Sequence, residues 1–278
     1  VVSMILDGKS VAEKTYSEIR EKIEGMVSLP SLVLLCDEPD SSNKTYMKSI
    51  VKQGEKLGIN VVIENTGEDP IAQVHRMNSD PSIAGVMIMH PLKNADEKSV
   101  LAALDPSKDL EGRTVSNLGG IVNDEEFFAP PTAEAVMEML FQYDINPKGR
   151  DVTIVGRSNT VGKPLALLLL KKGVDATVTV CHSRSRDIAE KTFNSDIVVS
   201  AVGIAKFLKR EMVRPGSIVI DVGINFLDGK LVGDVDYDEV SQIAAAITPV
   251  PGGVGSVTTA LLFKHYLKSL ERMGRIAR

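Results

Sequence analysis

Cysteine occurs only twice in these 278 residues. Two are too few for a disulfide framework, and Cys36 and Cys181 lack the spacing of metal ligands. Two reduced, partly buried thiols and no metal are expected, as in a cytoplasmic protein. An excess of cations is also missing: 32 Lys and Arg stand against 37 Asp and Glu, a net charge of −5. That balance argues against nucleic acid as a partner, which demands a basic surface. No apolar run approaches the roughly 20 residues of a membrane span, so no membrane role is expected. The opening residues have neither the charged nor the long apolar part of a signal peptide, and Met4 reads as the natural start. Internal repeats and low-complexity tracts are absent. So is the lysine pattern of a Walker loop, which excludes ATP hydrolysis.

What is present is an alternation of strand-like and helix-like segments, the pattern of parallel sheets with helices on their faces. The length favours two α/β domains. In the first half, strands are expected at 31–36, 60–64 and 85–89, with helices at 10–26, 44–57, 71–78 and 97–104. In the second half, strands are expected at 151–155, 176–181, 197–201, 217–222 and 244–248. A helix over 134–143 joins the halves. The segment Pro249 to Gly255 holds two prolines and three glycines, which exclude a helix or a ladder. A last helix over 257–273 follows it.

The most informative stretch is Val155-Gly-Arg-Ser-Asn-Thr-Val-Gly-Lys-Pro164. It joins an apolar strand to a strongly helical run. A glycine-bearing turn at a helix N-terminus aims backbone N–H groups and the positive helix end at an anion, usually a phosphate. Pro164 suits the first helical turn. A binder of NAD usually carries Asp or Glu after its second strand to hold the ribose hydroxyls. Here that strand ends in His182-Ser-Arg-Ser-Arg186, with no acid before Asp187, and Arg157 adds a guanidinium inside the turn. This is the pattern expected for NADP.

At this point the chain resembles the bifunctional methylenetetrahydrofolate dehydrogenase/methenyltetrahydrofolate cyclohydrolase family over essentially its full length. The matching motifs are Ile5-Leu-Asp-Gly-Lys9, Gly85-Val-Met-Ile88 with Pro91-Leu92, and Pro106-Ser-Lys-Asp-Leu-Glu-Gly112. They continue with Val155-Gly-Arg-Ser158, Gly162-Lys-Pro164, Asp221-Val-Gly-Ile-Asn225 and Thr248-Pro-Val-Pro-Gly-Gly-Val-Gly255. The resemblance implies a folate-binding catalytic domain, residues 1–135 completed by 254–278, and a Rossmann-type NADP-binding domain, residues 136–253. It also implies a cleft between the domains and a homodimer. Carried over by position, Gly156, Arg157 and Ser158 would hold the cofactor phosphates, with Ser183 and Arg184 beside the 2′-phosphate and Ile224 near the nicotinamide. Pro251, Gly252 and Gly253 would line the folate site, and Tyr46 would stack on the folate.

Several positions depart from the family pattern. The family pairs its tyrosine with a lysine four residues later, one turn along the same helix face. Position 50 is Ile50. Lys48 and Lys52 lie about 200° and 240° round the helix from Tyr46, on the wrong side. A shifted register would put Lys48 in the lysine's place, at the cost of Lys44 replacing the tyrosine. The family's Gln-Leu-Pro-Leu-Pro is here Met89-His90-Pro91-Leu92-Lys93, so Met89 stands for the glutamine. The pterin-binding aspartate is Glu111, and a Pro-Cys-Thr-Pro segment is Pro130-Pro-Thr-Ala133.

Hydride transfer from methylenetetrahydrofolate needs two ligands placed side by side and no protein base. Hydrolysis of the methenyl cation needs water delivered and protons moved, which suits a lysine oriented by a glutamine. Ile50 and Met89 can do neither. The expected function is therefore NADP-dependent oxidation of tetrahydrofolate one-carbon derivatives, with hydrolysis weak or lost. The alternatives are a fully bifunctional enzyme in which Lys48 or His90 moves the proton, with Lys93 close by, and a folate- or nucleotide-binding pseudoenzyme. Strand alternation turns His90 away from the face used by position 89. A different dehydrogenase of shikimate or amino-acid type is disfavoured by the segment 249–255.

Overall fold

A computed structural model describes residues 3–277. The first half runs β1 (Met4–Ile5), α1 (Gly8–Ile23), β2 (Ser31–Cys36), α2 (Ser41–Leu57), β3 (Val61–Asn65), α3 (Pro70–Ser79), β4 (Ile83–Ile88), α4 (Glu97–Ala103), α5 (Val115–Asn123) and α6 (Pro131–Gln142). The second half runs β5 (Asp151–Val155), α7 (Gly162–Leu170), β6 (Thr177–Cys181), α8 (Ile188–Phe193), β7 (Ile197–Ser200), β8 (Ile218–Asp221), β9 (Asn225–Leu227), β10 (Lys230–Val232), α9 (Tyr237–Val240), β11 (Ala246–Ile247) and α10 (Val254–Arg272). Each of the expected strands and helices has a counterpart within a few residues. The additions are β1, α8, α9 and the β9–β10 hairpin, too short to announce themselves by periodicity, and α5, whose paired glycines Gly119 and Gly120 are poor helix formers.

Two compact units result. One takes the chain up to Lys14 together with Pro130–Leu261, and the other takes Thr15–Ala129 together with the chain from Leu262 on. These bounds differ from the functional domain bounds expected above. β1 pairs in parallel with β11, Met4 opposite Ala246, and the Gly8 N–H donates to the Gly252 carbonyl at 2.8 Å. The first residues thus add an edge strand to the sheet of the later half.

The sheet of that unit has six strands in the order β1-β11-β8-β7-β5-β6, all parallel. Strands β7 and β8 at its centre are buried throughout and apolar but for Ser200 and Asp221 at their ends, as expected of strands covered on both faces. The other unit has a three-stranded parallel sheet, β3-β2-β4. Helix α2 begins at an Asp40 cap, whose carboxylate accepts from the Asn43 N–H at 2.8 Å, and stops at Gly58 in the left-handed region, φ 72°. Its buried residues are Met47, Ile50, Gly54 and Leu57, a stripe at helical spacing. Gly54 lets α2 lie close to β3, since a Cβ there would sit 2.4 Å from Val61. The C-terminal part of α10 closes this unit's core with Leu262, Phe263, Tyr266, Leu267 and Leu270. Among the described residues, no helix is long and apolar enough to cross a membrane.

Candidate functional site

In the six-stranded unit, the turn after β5 is shaped by backbone. Gly156 has φ +131°, and a Cβ on it would meet the Ala201 carbonyl at 2.3 Å. Gly162 lies so close that a Cβ would stand 2.0 Å from the Gly156 carbonyl oxygen. Only glycine tolerates that approach. The Ser158 hydroxyl accepts from the Val161 N–H at 3.1 Å, tightening the turn just before α7. Arg157 and Ser158 are exposed, while Gly162 and Pro164 are buried. The Lys163 N–H donates to the Ser158 carbonyl at 3.1 Å, and the N-terminus of α7 carries the positive end of the helix.

The second component follows β6. The Ser185 N–H donates to the His182 carbonyl at 2.8 Å, and the His182 N–H donates to the Ser185 hydroxyl at 2.9 Å. The Arg184 N–H donates to the His182 ring at 3.2 Å. His182 and Ser185 therefore build the turn, leaving Ser183, Arg184 and Arg186 exposed. His182 is a turn-forming residue. Hydroxyls, guanidiniums and a helix N-terminus on one parallel-sheet edge form a donor set that fits a phosphorylated dinucleotide.

Two buried aspartates hold the loops after β7 and β8. Asp234, fully buried, accepts from the backbone N–H groups of Val202, Gly203 and Ile204 at 2.7, 3.2 and 3.1 Å. Asp221 accepts from those of Gly223, Asp234 and Val235 at 2.9 to 3.0 Å. Burial pushes the Asp221 carboxyl up to about 6 against the pull of these hydrogen bonds. The loop so fixed carries Ile224, which is 62% exposed. In the same unit, the turn Pro251-Gly252-Gly253 lies against the start of α1: a Cβ on Gly8 would stand 1.9 Å from the Gly253 carbonyl oxygen.

In the three-stranded unit, Tyr46 packs half-buried against a core cluster that contains both Ile50 and Met89. Ile50 is 0% and Met89 3% exposed. The structure therefore puts Ile50, with its apolar side chain, on Tyr46's side of α2. Lys44 and Lys48 are exposed. As strand alternation implies, Met89 points in and His90 points out, its side chain 72% exposed. The Asn43 amide N–H donates to the His90 carbonyl at 2.9 Å, tying this segment to α2.

Glu111 owes its place to Gly85. A Cβ on Gly85 would lie 2.3 Å from Leu110, so the glycine admits Leu110 against β4. The Leu110 carbonyl accepts from buried His265 of α10 at 2.6 Å. Glu111 follows, its side chain only 19% exposed. Burial pushes its carboxyl up to about 7; nearby Asp109 and Glu97 add to the rise, and Arg113 opposes it. Glu111 is thus a largely enclosed carboxyl rather than a solvated one. Arg113 and Glu97 are site neighbours that sequence reasoning passes over. They stand 16 residues apart, in no motif, and only the fold joins them.

The family description "tetrahydrofolate dehydrogenase/cyclohydrolase, catalytic domain" matches residues 6–111, and its NAD(P)-binding domain matches residues 130–274. A bifunctional protein FolD from Kosmotoga olearia is 59% identical over 273 residues, covering 98% of this chain and 99% of the relative. The solved bifunctional 5,10-methylenetetrahydrofolate dehydrogenase/cyclohydrolase of Thermoplasma acidophilum has a TM-score of 0.90 at 37% identity, covering 98% and 99% of the two chains. The Trypanosoma brucei methylenetetrahydrofolate dehydrogenase-cyclohydrolase, solved with NADP and an inhibitor, has a TM-score of 0.89 at 32% identity, covering 99% of each chain.

Proposed function

Because the chain belongs to the tetrahydrofolate dehydrogenase/cyclohydrolase family, we propose that it oxidises 5,10-methylenetetrahydrofolate to 5,10-methenyltetrahydrofolate with NADP. Its setting would be one-carbon metabolism, in support of purine synthesis, as a cytoplasmic homodimer. The observation that carries this reading is the phosphate turn, where Gly156 and Gly162 meet backbone to backbone at the head of α7. When bound, NADP would supply the acceptor for the hydride of the one-carbon bridge. Gly156, Arg157 and Ser158 hold its phosphates, and Ser183 and Arg184 face the 2′-phosphate. Ile224 lies at the nicotinamide end. Tyr46 stacks on the folate and Glu111 accepts from its pterin N–H groups; Pro251, Gly252 and Gly253 are the further substrate-binding residues of this reading. Residues 1–135 with 254–278 act as the folate domain and 136–253 as the NADP domain. No residue need remove a proton in this step, so placement supplies most of the rate. Membership of the family leaves no ground for a dehydrogenase of shikimate or amino-acid type.

The second activity is hydrolysis of the methenyl product to 10-formyltetrahydrofolate. The expectation that it is weak rests on Ile50 and Met89 alone, and the bifunctional naming of the relatives gives it no support. Full bifunctionality is therefore the second reading. It is favoured by His90, whose Nδ1–H donates to Glu97 at 2.8 Å, the arrangement of a base oriented by a carboxylate. An anaerobic assay of both activities on one purified sample separates the readings. Accumulation of the methenyl compound supports a dehydrogenase with little hydrolysis. Prompt passage to the formyl compound, lost in His90→Ala, supports the second reading. Binding without turnover would overturn both.

A further inference from the structure

One connected set of charged side chains joins Glu111 to residues outside the family motifs. At its hub the Arg113 guanidinium donates through Nη1 to the Ile88 carbonyl at 2.8 Å, at the end of β4. The same nitrogen stands 3.5 Å from the Glu111 carboxylate, while Nη2 forms a close ion pair with Glu97. Glu97, in the first turn of α4, also accepts from the Leu92 N–H at 3.1 Å and from His90. Burial would raise the Glu97 carboxyl, but these hydrogen bonds outweigh it and hold it below its usual value. Arg113 is largely buried, its side chain 14% exposed.

We propose that Arg113 is a positioning residue for the folate site: fastened by Glu97 and the Ile88 carbonyl, it holds the Glu111 carboxyl in place and supplies the positive charge against which that carboxyl ionises. The inference rests on Glu111 as the folate acceptor proposed above. A planar guanidinium presents its donors in a fixed fork, so it can be fastened by Glu97 and the Ile88 carbonyl while its charge still faces Glu111. Here its charge is divided, with the close contact given to Glu97 and the loose one to Glu111.

The charged groups around Glu111 are Arg113 and Asp109 from its own loop and Glu97 from α4. His90 lies beyond Glu97, after β4. From α10, His265 faces this loop and is engaged with the Leu110 carbonyl. Asp109 is engaged with the Thr114 N–H at 2.7 Å and the Asn117 amide at 3.0 Å. Arg113 is thus the cation that opposes burial at Glu111. Removing it must raise the pH at which Glu111 ionises. Removing the charge of Glu97 must lower it, both by deleting a repulsive neighbour and by releasing Arg113 toward Glu111.

The test is the pH dependence of the KM for methylenetetrahydrofolate, with NADP saturating, in the parent and in Arg113→Gln, Arg113→Lys, Glu97→Gln and Glu111→Gln. The parent KM should fall as pH rises through about 7. Arg113→Gln should move that limb upward by about one unit, raising KM at about pH 7 by about fivefold with kcat within about twofold. Arg113→Lys, which keeps the charge, should lie close to the parent. Glu97→Gln should move the limb downward, a sign that general destabilisation does not produce. Glu111→Gln should abolish the limb. If Glu111→Gln abolishes it and the Arg113→Gln and Glu97→Gln limbs coincide with the parent's or move together, the inference falls and the folate role of Glu111 stands. A limb that persists in Glu111→Gln overturns both. Should Arg113→Gln fail to fold, the direction of the Glu97→Gln shift decides.

Discussion

The two units build their candidate sites from different material. In the six-stranded unit the phosphate turn is a matter of backbone, set by Gly156, Gly162 and the head of α7. In the three-stranded unit the surface is a matter of side chains: Tyr46 beside buried Ile50 and Met89, and Glu111 beside Arg113. Backbone geometry tolerates one residue type, so the sequence there has little freedom. Side-chain chemistry can be exchanged while the fold persists, and in this chain it has been. In the proposed reading, the unit defined by backbone holds the nucleotide, and the unit whose side chains depart from the family pattern is where hydrolysis would be decided.

The sharpest way to break this contrast is Gly162→Ala. Its Cβ would fall 2.0 Å from the Gly156 carbonyl oxygen, and strain of about 2–3 kcal/mol at the turn should weaken NADP binding by about 30- to 150-fold. Direct titration with NADP checks it, and near-parental affinity would show that the turn yields more than a backbone-defined site should.

A second test restores the family side chains. Ile50→Lys with Met89→Gln should raise methenyltetrahydrofolate hydrolysis by about tenfold, equivalent to about 1.4 kcal/mol of barrier. Because position 50 is 0% exposed, the new ammonium should also cost about 2–4 kcal/mol of stability. Stopped assays and thermal melts read the two effects. Hydrolysis unchanged by the pair would mean that proton handling in this chain resides elsewhere, with His90 the nearest candidate.

The smallest effect probes the side-chain part of the nucleotide site. Arg157→Ala should raise the KM for NADP by about tenfold and that for NAD far less, since a charge-assisted hydrogen bond to the 2′-phosphate is lost. Equal losses with both cofactors would place Arg157 on another phosphate and shift the preference to Ser183 and Arg184.

The same contrast explains what was legible in the sequence. The strands 31–36 and 151–155 fall at the expected residues because each is a short apolar run bounded by turn formers. The turn at Gly156 was legible because its glycines and Pro164 stand where a strand-to-helix phosphate turn requires them. Ile50 and Met89 were visible as departures, and helical geometry already placed Lys48 on the wrong face. The Arg113–Glu97 pair was hidden, because it depends on the segment after β4 meeting the loop beyond Leu110, which no local pattern encodes. The enclosure of Glu111 was hidden for the same reason: burial is a property of neighbours. β1 escaped notice because two residues carry no period.

The edge pairing of β1 with β11 has a consequence for biosynthesis. A nascent chain emerges from the ribosome N-terminus first, yet Met4 needs Ala246 as its partner, and the contact at Gly8 waits for Gly252. The other unit waits as well: Tyr266 donates to the Pro30 carbonyl at 2.6 Å, across nearly the whole message. Neither unit is complete until the last helix has been translated. Such long-range closure slows folding, and it leaves early segments dependent on chaperones while they wait. A gene cut at residue 129 should therefore yield two fragments that fold poorly alone. A circular permutant that makes residues 262–277 contiguous with 15–129 should let that unit fold during synthesis.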